Sequence, residues 1–422
     1  MRNPPTVPVV LAGSAAFLNL YATQPLLPLL ARTFHASAFE VGLTITAPTV
    51  AIAVTAPIVG RLADVIGLRR VIVGSAFLLA IATMLAATSG TLVQLIGWRF
   101  VQGIVTPGIF AGTVAYIHEI WPPQQSGRAT AAYMTGTIVG GFFGRALTGL
   151  IASQVDWHAS FAIVGIVAFA IAGVLWRSLP DERARGSILR QAQGSPRAEP
   201  LTLSVSKGER GKGRAAVRKL LRNRQLLATY AIGFCVLFTN VAMFTYVTFH
   251  LAAQPYSFSA AALGWLFVVY LVGAVVTPLS GRWIDRYGHR TGMTAAMTIG
   301  AAGALLTLLP SLPAIVAGLA LTSTGVFIAQ TTTSSHIGTV TTNDRALAVG
   351  LYSTFYYTGG SAGGALPAAV WNAAGWPGCV ALVVAVQLTG AVIALTSWAK
   401  AAARAAGEVP RLPLPPLPGG VG

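Results

Sequence analysis

Twelve long apolar runs constrain this chain more than anything else in it. With boundaries good to a few residues, they lie near 7 to 31, 40 to 60, 71 to 88, 92 to 118, 128 to 154 and 159 to 177. Six more lie near 225 to 250, 260 to 281, 291 to 309, 313 to 337, 346 to 370 and 376 to 399. Crossing a bilayer takes about 20 mostly apolar residues in a helix, which satisfies every backbone polar group internally. A soluble domain is excluded on the same ground: 9% of the residues are charged and 54% hydrophobic, where soluble proteins carry roughly 25% charged residues. The expected fold class is an all-α membrane protein of twelve transmembrane helices. The first run is too long for the apolar core of a secretory signal, so it reads as a retained first helix.

The net charge of +17 acquires its meaning from position. If the N-terminus faces the cytoplasm, 25 of the 28 Lys and Arg fall on cytoplasmic segments, leaving only Arg32, Arg99 and Arg145. That is the positive-inside pattern. It places the protein in the cell (inner) membrane with both termini cytoplasmic, and no nucleic-acid partner is needed to explain the basicity. The expected organisation is an N-terminal six-helix bundle (1–177), a basic cytoplasmic linker (178–224), a C-terminal six-helix bundle (225–399) and a disordered cytoplasmic tail (400–422). The end of the linker, 214–224, reads either as a short basic helix on the membrane surface or as a solvated run. Cys235 and Cys379 lie in apolar runs, where a thiol packs as a small hydrophobe.

The chain repeats itself. At a fixed offset of 221 residues Asn19 returns as Asn240, Pro57 as Pro278, Gly60 as Gly281, Arg61 as Arg282, Asp64 as Asp285, Gly67 as Gly288 and Arg69 as Arg290. Further on the offset is 219, pairing Gly140 with Gly359, Gly144 with Gly363 and Trp157 with Trp376. Two pseudo-symmetric six-helix bundles around a central cavity follow, because duplicated halves facing a midplane site are how secondary transporters are built.

The segment from Gly60 through Asp64 and Gly67 to Arg69 and Arg70, joining spans 2 and 3, resembles the loop signature of the major facilitator superfamily. Its degenerate second copy, carrying Gly281, Asp285, Gly288 and Arg290, falls between spans 8 and 9, where that family has its own second copy. The resemblance covers essentially the whole chain. It implies a latch, holding one conformer of an alternating-access cycle through Asp64, Arg69, Arg70, Glu119 and Arg128; turn formation and topology alone would need the same residues. Arg99 lies about 10 Å below the outer boundary of span 4 in a segment that resembles the family's Arg-containing motif linked to proton coupling. Snorkelling to the interface is the alternative. Gly136, Gly140, Gly141, Gly144 and Gly149 on span 5 resemble the family's antiporter motif, with two departures: Gly141 stands where proline is expected, and Arg145 occupies the second place of the closing Gly pair. Drug exporters of the family often place an acid in the first helix, where this chain has Asn19, Tyr21, Thr23 and Gln24, and no carboxylate falls at mid-membrane depth.

The candidate substrate and proton pathway is therefore Asn19, Tyr21, Gln24, Arg99, Arg145, Asn240, Tyr352 and Tyr356. Arg99 and Arg145 would give the cavity a positive potential favouring an anionic or electron-rich solute; the alternative is that they brace helices through backbone carbonyls. His118 and His336 are candidates for carrying protons or for plain capping. Catalytic constellations and a phosphate loop are absent from the sequence, so neither an enzyme nor an ATP-driven pump is expected, nor any cofactor or metal. The resemblance implies a monomer that exports a small organic solute in exchange for protons, with proton-coupled or facilitated uptake as the alternative and a non-transporting sensor as a remote one.

Overall fold

The first span is not one continuous helix. In the computed structural model, which describes residues 6–180, 217–340 and 345–398, it divides into α1 (Val7–Leu20), a 3-10 turn at Gln24–Leu26 and α2 (Leu27–Thr33). Pro25 has no N–H to donate to the carbonyl one turn back, and its ring crowds that carbonyl, so the α-helix stops short of it. Uninterrupted helices follow as α3 (Ala38–Ile66), α4 (Leu68–Ala86), α5 (Leu92–Ile120), α6 (Pro123–Gln154) and α7 (Trp157–Ser178).

The C-terminal half opens with α8 (Arg224–Ala252). Span 8 is again divided, into α9 (Ala260–Leu266), a 3-10 segment at Phe267–Leu271 and α10 (Val272–Tyr287). Then come α11 (His289–Leu306), α12 (Leu312–Val340), α13 (Arg345–Ala365) and α14 (Pro367–Ser397), the last bent at Gly375. Most of the linker, 181–216, and the tail from 399 lie outside the described residues, as do the side chains at 60, 61 and 64. Of the segment read as a surface helix or solvated run, 217–222 is helical.

Several helices start on side-chain caps that the sequence carries. Ser37 and Glu40 form a reciprocal capping box on α3, Thr91 caps α5, Asp156 α7, Asn223 α8 and Ser259 α9. Each accepts a backbone N–H that the first turn would otherwise leave unpaired. Among the described residues nine spans are long and apolar enough to cross a membrane by length and composition alone; α6, α11 and α13, which fill the remaining places, are richer in Gly and Thr. Large apolar side chains such as Val54, Ile58, Val275, Leu279, Val392 and Leu395 are exposed on the outer surface, which is the inverse of a soluble protein and suits lipid.

The repeat is visible in the packing. Gly140 and Gly144 of α6 sit so close to α1 that a Cβ would fall 2.4 Å from Ser14 Cα and 2.1 Å from Leu18 O. Gly359 and Gly363 of α13 do the same against α8, at 2.1 Å from Phe234 O and 2.5 Å from Phe238 O. The loop glycines match as well: Gly67 has φ 94° and ψ 144°, Gly288 φ 86° and ψ 157°, each ending one helix and starting the next.

Candidate functional site

Two buried guanidiniums occupy the N-terminal half, and their surroundings differ. Arg99 is fully buried. Its Nε donates to Thr44 O at 3.1 Å and its Nη1 to Asn19 O at 2.8 Å; Nη1 also donates to Gln102 Oε1, and Nη2 to Leu20 O. Asn19 and Leu20 are the last residues of α1, whose carbonyls lose their helical partners where the span breaks. A cation there meets the Leu20 carbonyl, the spare lone pair of Asn19 O, which also accepts from Ala22 N–H, and the negative end of the helix dipole together. The network continues from Gln102 Nε2 to Thr83 Oγ1 at 3.1 Å and from Thr83 Oγ1 to Asn19 Oδ1 at 2.7 Å. All of it lies within the N-terminal half, joining α1, α3, α4 and α5.

Arg145, 3% exposed, stands between the halves. Its Nε donates to Gln24 Oε1 at 2.7 Å and its Nη1 to Gly141 O at 2.6 Å. Three rings face the guanidinium carbon, Tyr21 at 4.9 Å from the same half and Phe267 and Tyr270 at 4.7 and 4.9 Å from the other. Gln24 reaches across to Thr245 at 3.4 Å, and Tyr270 donates to Asn240 Oδ1 at 2.7 Å. Arg145 thus sits where span 1 and span 8 both leave α-helical geometry, the kind of place where discontinuous membrane helices hold substrates and ions.

Of the eight residues the sequence singles out for the pathway, Tyr21, Gln24, Arg145 and Asn240 come into this one cluster. Asn19 does not; it is tied to Thr83 and to Ala15 O of its own helix, so the repeat-matched asparagines have parted in their contacts. Tyr352 and Tyr356 stand on α13 with their ring centres 5.6 Å apart, and Tyr356 meets Tyr357 at 5.4 Å. Tyr352, Tyr356 and Tyr357 share one buried cluster with Tyr21. Phe267, Tyr270, Thr245 and Tyr357 join the site without having been read from the sequence. Their spans are apolar throughout, and only a broken helix or a neighbour tells lining from lipid-facing positions.

Among the described residues no carboxylate is buried: Glu40, Glu119, Asp156 and Asp285 are exposed, and the one ion pair is His158 with Asp156 at 3.9 Å. Of the candidate latch, Arg69 donates to Leu179 O at 2.7 Å and to Trp176 O at 2.6 Å, clasping the end of α7. Arg70, Glu119 and Arg128 are exposed, and Gly281 and Arg290 half-buried. Gly60 lies within α3, and the side chain of Asp64 lies outside the described residues. His118 is exposed, whereas His336 is buried, its Nδ1 3.1 Å from Thr229 Oγ1 and its ring stacked on Trp398.

The halves also meet at two tight crossings at the Ser37 end of the bundle. On α3 and α13, a Cβ at Gly42 would lie 2.8 Å from Gly364 O, and Thr46 and Thr49 hydrogen-bond with Ser361. On α6 and α9, a Cβ at Gly149 would lie 2.3 Å from Ala260 O. These α3 contacts occupy its first 12 residues, roughly 18 Å of a far longer helix.

A twelve-span bundle of two repeated halves, meeting around a polar and aromatic cluster at two helix breaks, defines the class of membrane transporters, and comparison with known proteins agrees. The family model of the Major Facilitator Superfamily matches residues 9–259 and 243–416. The chain is 31% identical to an uncharacterised MFS-type transporter, YybF, of Bacillus subtilis, over 90% of this chain and 91% of that one. It is 30% identical to the inner membrane transport protein YnfM of Escherichia coli, over 90% and 86%. In structure it is similar to a bacterial homologue of the human lysosomal transporter Spinster in an inward-facing, unoccupied conformation, with TM-score 0.70 at 15% identity and 93% and 94% coverage. The chain belongs to the major facilitator superfamily. It is a multi-pass inner-membrane transporter of small molecules and not an enzyme.

Proposed function

We propose that the chain exports a small organic solute by alternating access, in exchange for protons, working as a monomer. The observation that carries this reading is the concentration of cross-half contacts at the Ser37 end, at Gly42 against Gly364 and Gly149 against Ala260. The distribution of basic residues assigns that end to the outside. The arrangement is then a conformer closed to the exterior, and the same glycine crossings are where the halves part when the solute leaves. Support for exchange with protons comes from the Arg99 segment and the glycine-rich face of α6, both of which resemble motifs of proton-coupled members. In this reading Gly60, Asp64, Gly67, Arg69 and Arg70, with Gly281, Asp285, Gly288 and Arg290, steady the opposite end. Arg69 ties that loop to the end of α7, and Glu119 and Arg128 stand ready to pair once the halves close there.

Everted membrane vesicles test the proposal. Respiration acidifies their lumen, and an exporter that exchanges solute for protons releases that acidity when its solute is added. A panel of aromatic carboxylates, sugars and organic cations is expected to contain a compound that collapses the gradient only in vesicles containing this chain. Accumulation of such a compound to the same level without a gradient would remove proton exchange from the account.

A further inference from the structure

Resting on the transport reading, we propose that the solute is a monoanion with an aromatic body, its acidic group held on the free edge of the Arg145 guanidinium and its ring among tyrosines of both halves. The argument begins with a contrast between two arginines equally removed from water. Arg99 spends four of its five N–H donors, on three backbone carbonyls and an amide oxygen, and every one of its nitrogens is engaged. Arg145 spends two, on Gln24 and Gly141. Its Nη2 makes no hydrogen bond among the described residues.

A buried guanidinium with unspent donors is costly unless a partner arrives. Aromatic faces offset part of that cost but accept no in-plane hydrogen bond. No buried carboxylate is present among the described residues to do so. A ligand carboxylate is the group that fits, because it matches the planar fork of Arg and forms charge-assisted hydrogen bonds. One uncommitted cation calls for one negative charge.

The remainder of the ligand is set by what surrounds that edge. Tyr21, Phe267 and Tyr270 flank the guanidinium, and Tyr356, in one buried cluster with Tyr21, extends the wall through Tyr352 and Tyr357. Such faces take up flat aromatic bodies by offset or edge-on stacking, and their hydroxyls give a few polar contacts within an otherwise apolar wall. The site is also shared: Tyr21 and Arg145 come from one half, Phe267, Tyr270 and Tyr356 from the other. Binding there is sensed by both bodies that must move.

Binding to the full-length chain in nanodiscs, measured by titration calorimetry with three probes of one shape, tests this directly: naphthalene-2-carboxylate, its neutral amide and 2-naphthylmethylamine as the cation. The carboxylate is expected to bind about tenfold or more tighter than the amide, the worth of a charge-assisted hydrogen bond or two, and the amine not measurably. Arg145→Gln should reduce the carboxylate-to-amide ratio to about one. Tyr356→Leu should weaken both and leave their ratio unchanged. Equal or tighter binding of the amide or amine to the unsubstituted chain would overturn the proposal, and that comparison needs no variant to fold. Survival of the full ratio in a folded Arg145→Gln chain would overturn it too. Selective binding of the carboxylate without any flux in vesicles would instead contradict the transport reading and leave this assignment standing.

Discussion

Arg99 and Arg145 are alike in sequence context and depth but do different work. Arg99 closes the broken end of α1, so Arg99→Ala should orphan the carbonyls of Leu20 and Thr44 together with Gln102 Oε1, while Asn19 O keeps the Ala22 N–H. At about 1–3 kcal/mol for a buried group left without its partner, the loss should reach several kcal/mol. Thermal unfolding in detergent should show a clear drop, with Arg99→Lys recovering part of it because one ammonium cannot replace the fork. Arg145→Ala is expected to cost less stability, since Gln24 keeps Thr245 as a partner, and to cost more transport. A fall in stability for Arg145→Ala as large as for Arg99→Ala would reverse these roles. At this scale the burial of both arginines inside their spans was readable from the sequence, because a charge within a long apolar run can be located by counting. Their partners were not readable, because Thr44, Gly141 and Phe267 approach from helices remote in the chain.

At the scale of elements, the packing glycines carry the argument. Gly149→Val places a side chain where Ala260 O lies 2.3 Å from the Cβ position, and backbone cannot yield as a flexible side chain can. The variant should resist closure at the Ser37 end, seen as faster labelling of a cysteine introduced at Thr46 or Ser361 on the facing crossing. Labelling that stays as slow as in the parent would mean that α6 and α9 do not gate that end. Gly67 and Gly288 answer to backbone geometry instead. With φ of 94° and 86°, Gly→Ala at either should cost about 1–2 kcal/mol, because a Cβ is strained there, and the two losses should be similar because the loops are repeats. Unfolding midpoints of the two variants check this. Ten of the twelve spans carry no 3-10 break, and the caps, from Ser37 with Glu40 to Asn223, emerged only in the structure. The break in span 1 had a signal in Pro25. That in span 8 had none, since Phe267–Leu271 is as apolar as the rest of its span.

The whole molecule is a duplication whose copies have diverged in charge. The repeat of Gly67, Gly140 and Gly144 as Gly288, Gly359 and Gly363 was plain in the sequence because glycine needed for a turn or a close approach cannot be replaced cheaply. Which surfaces face the partner half was not plain, because a wall of tyrosines and a lipid-facing stripe are both apolar at helical spacing. Divergence put both buried cations in the N-terminal half, and the C-terminal half answers with the rings of Phe267 and Tyr270. If the halves rock about that shared junction, the two ends of the α3 and α13 pair must move in opposite senses. Spin labels on exposed positions report this: Phe39 with Leu366 at the Ser37 end, and Leu62 with Val349 at the Gly67 end. Pulsed electron resonance on the parent chain and on Gly149→Val should find the first distance longer and the second shorter in the variant. Two distances that stay fixed, or that lengthen together, would contradict alternating access between these halves.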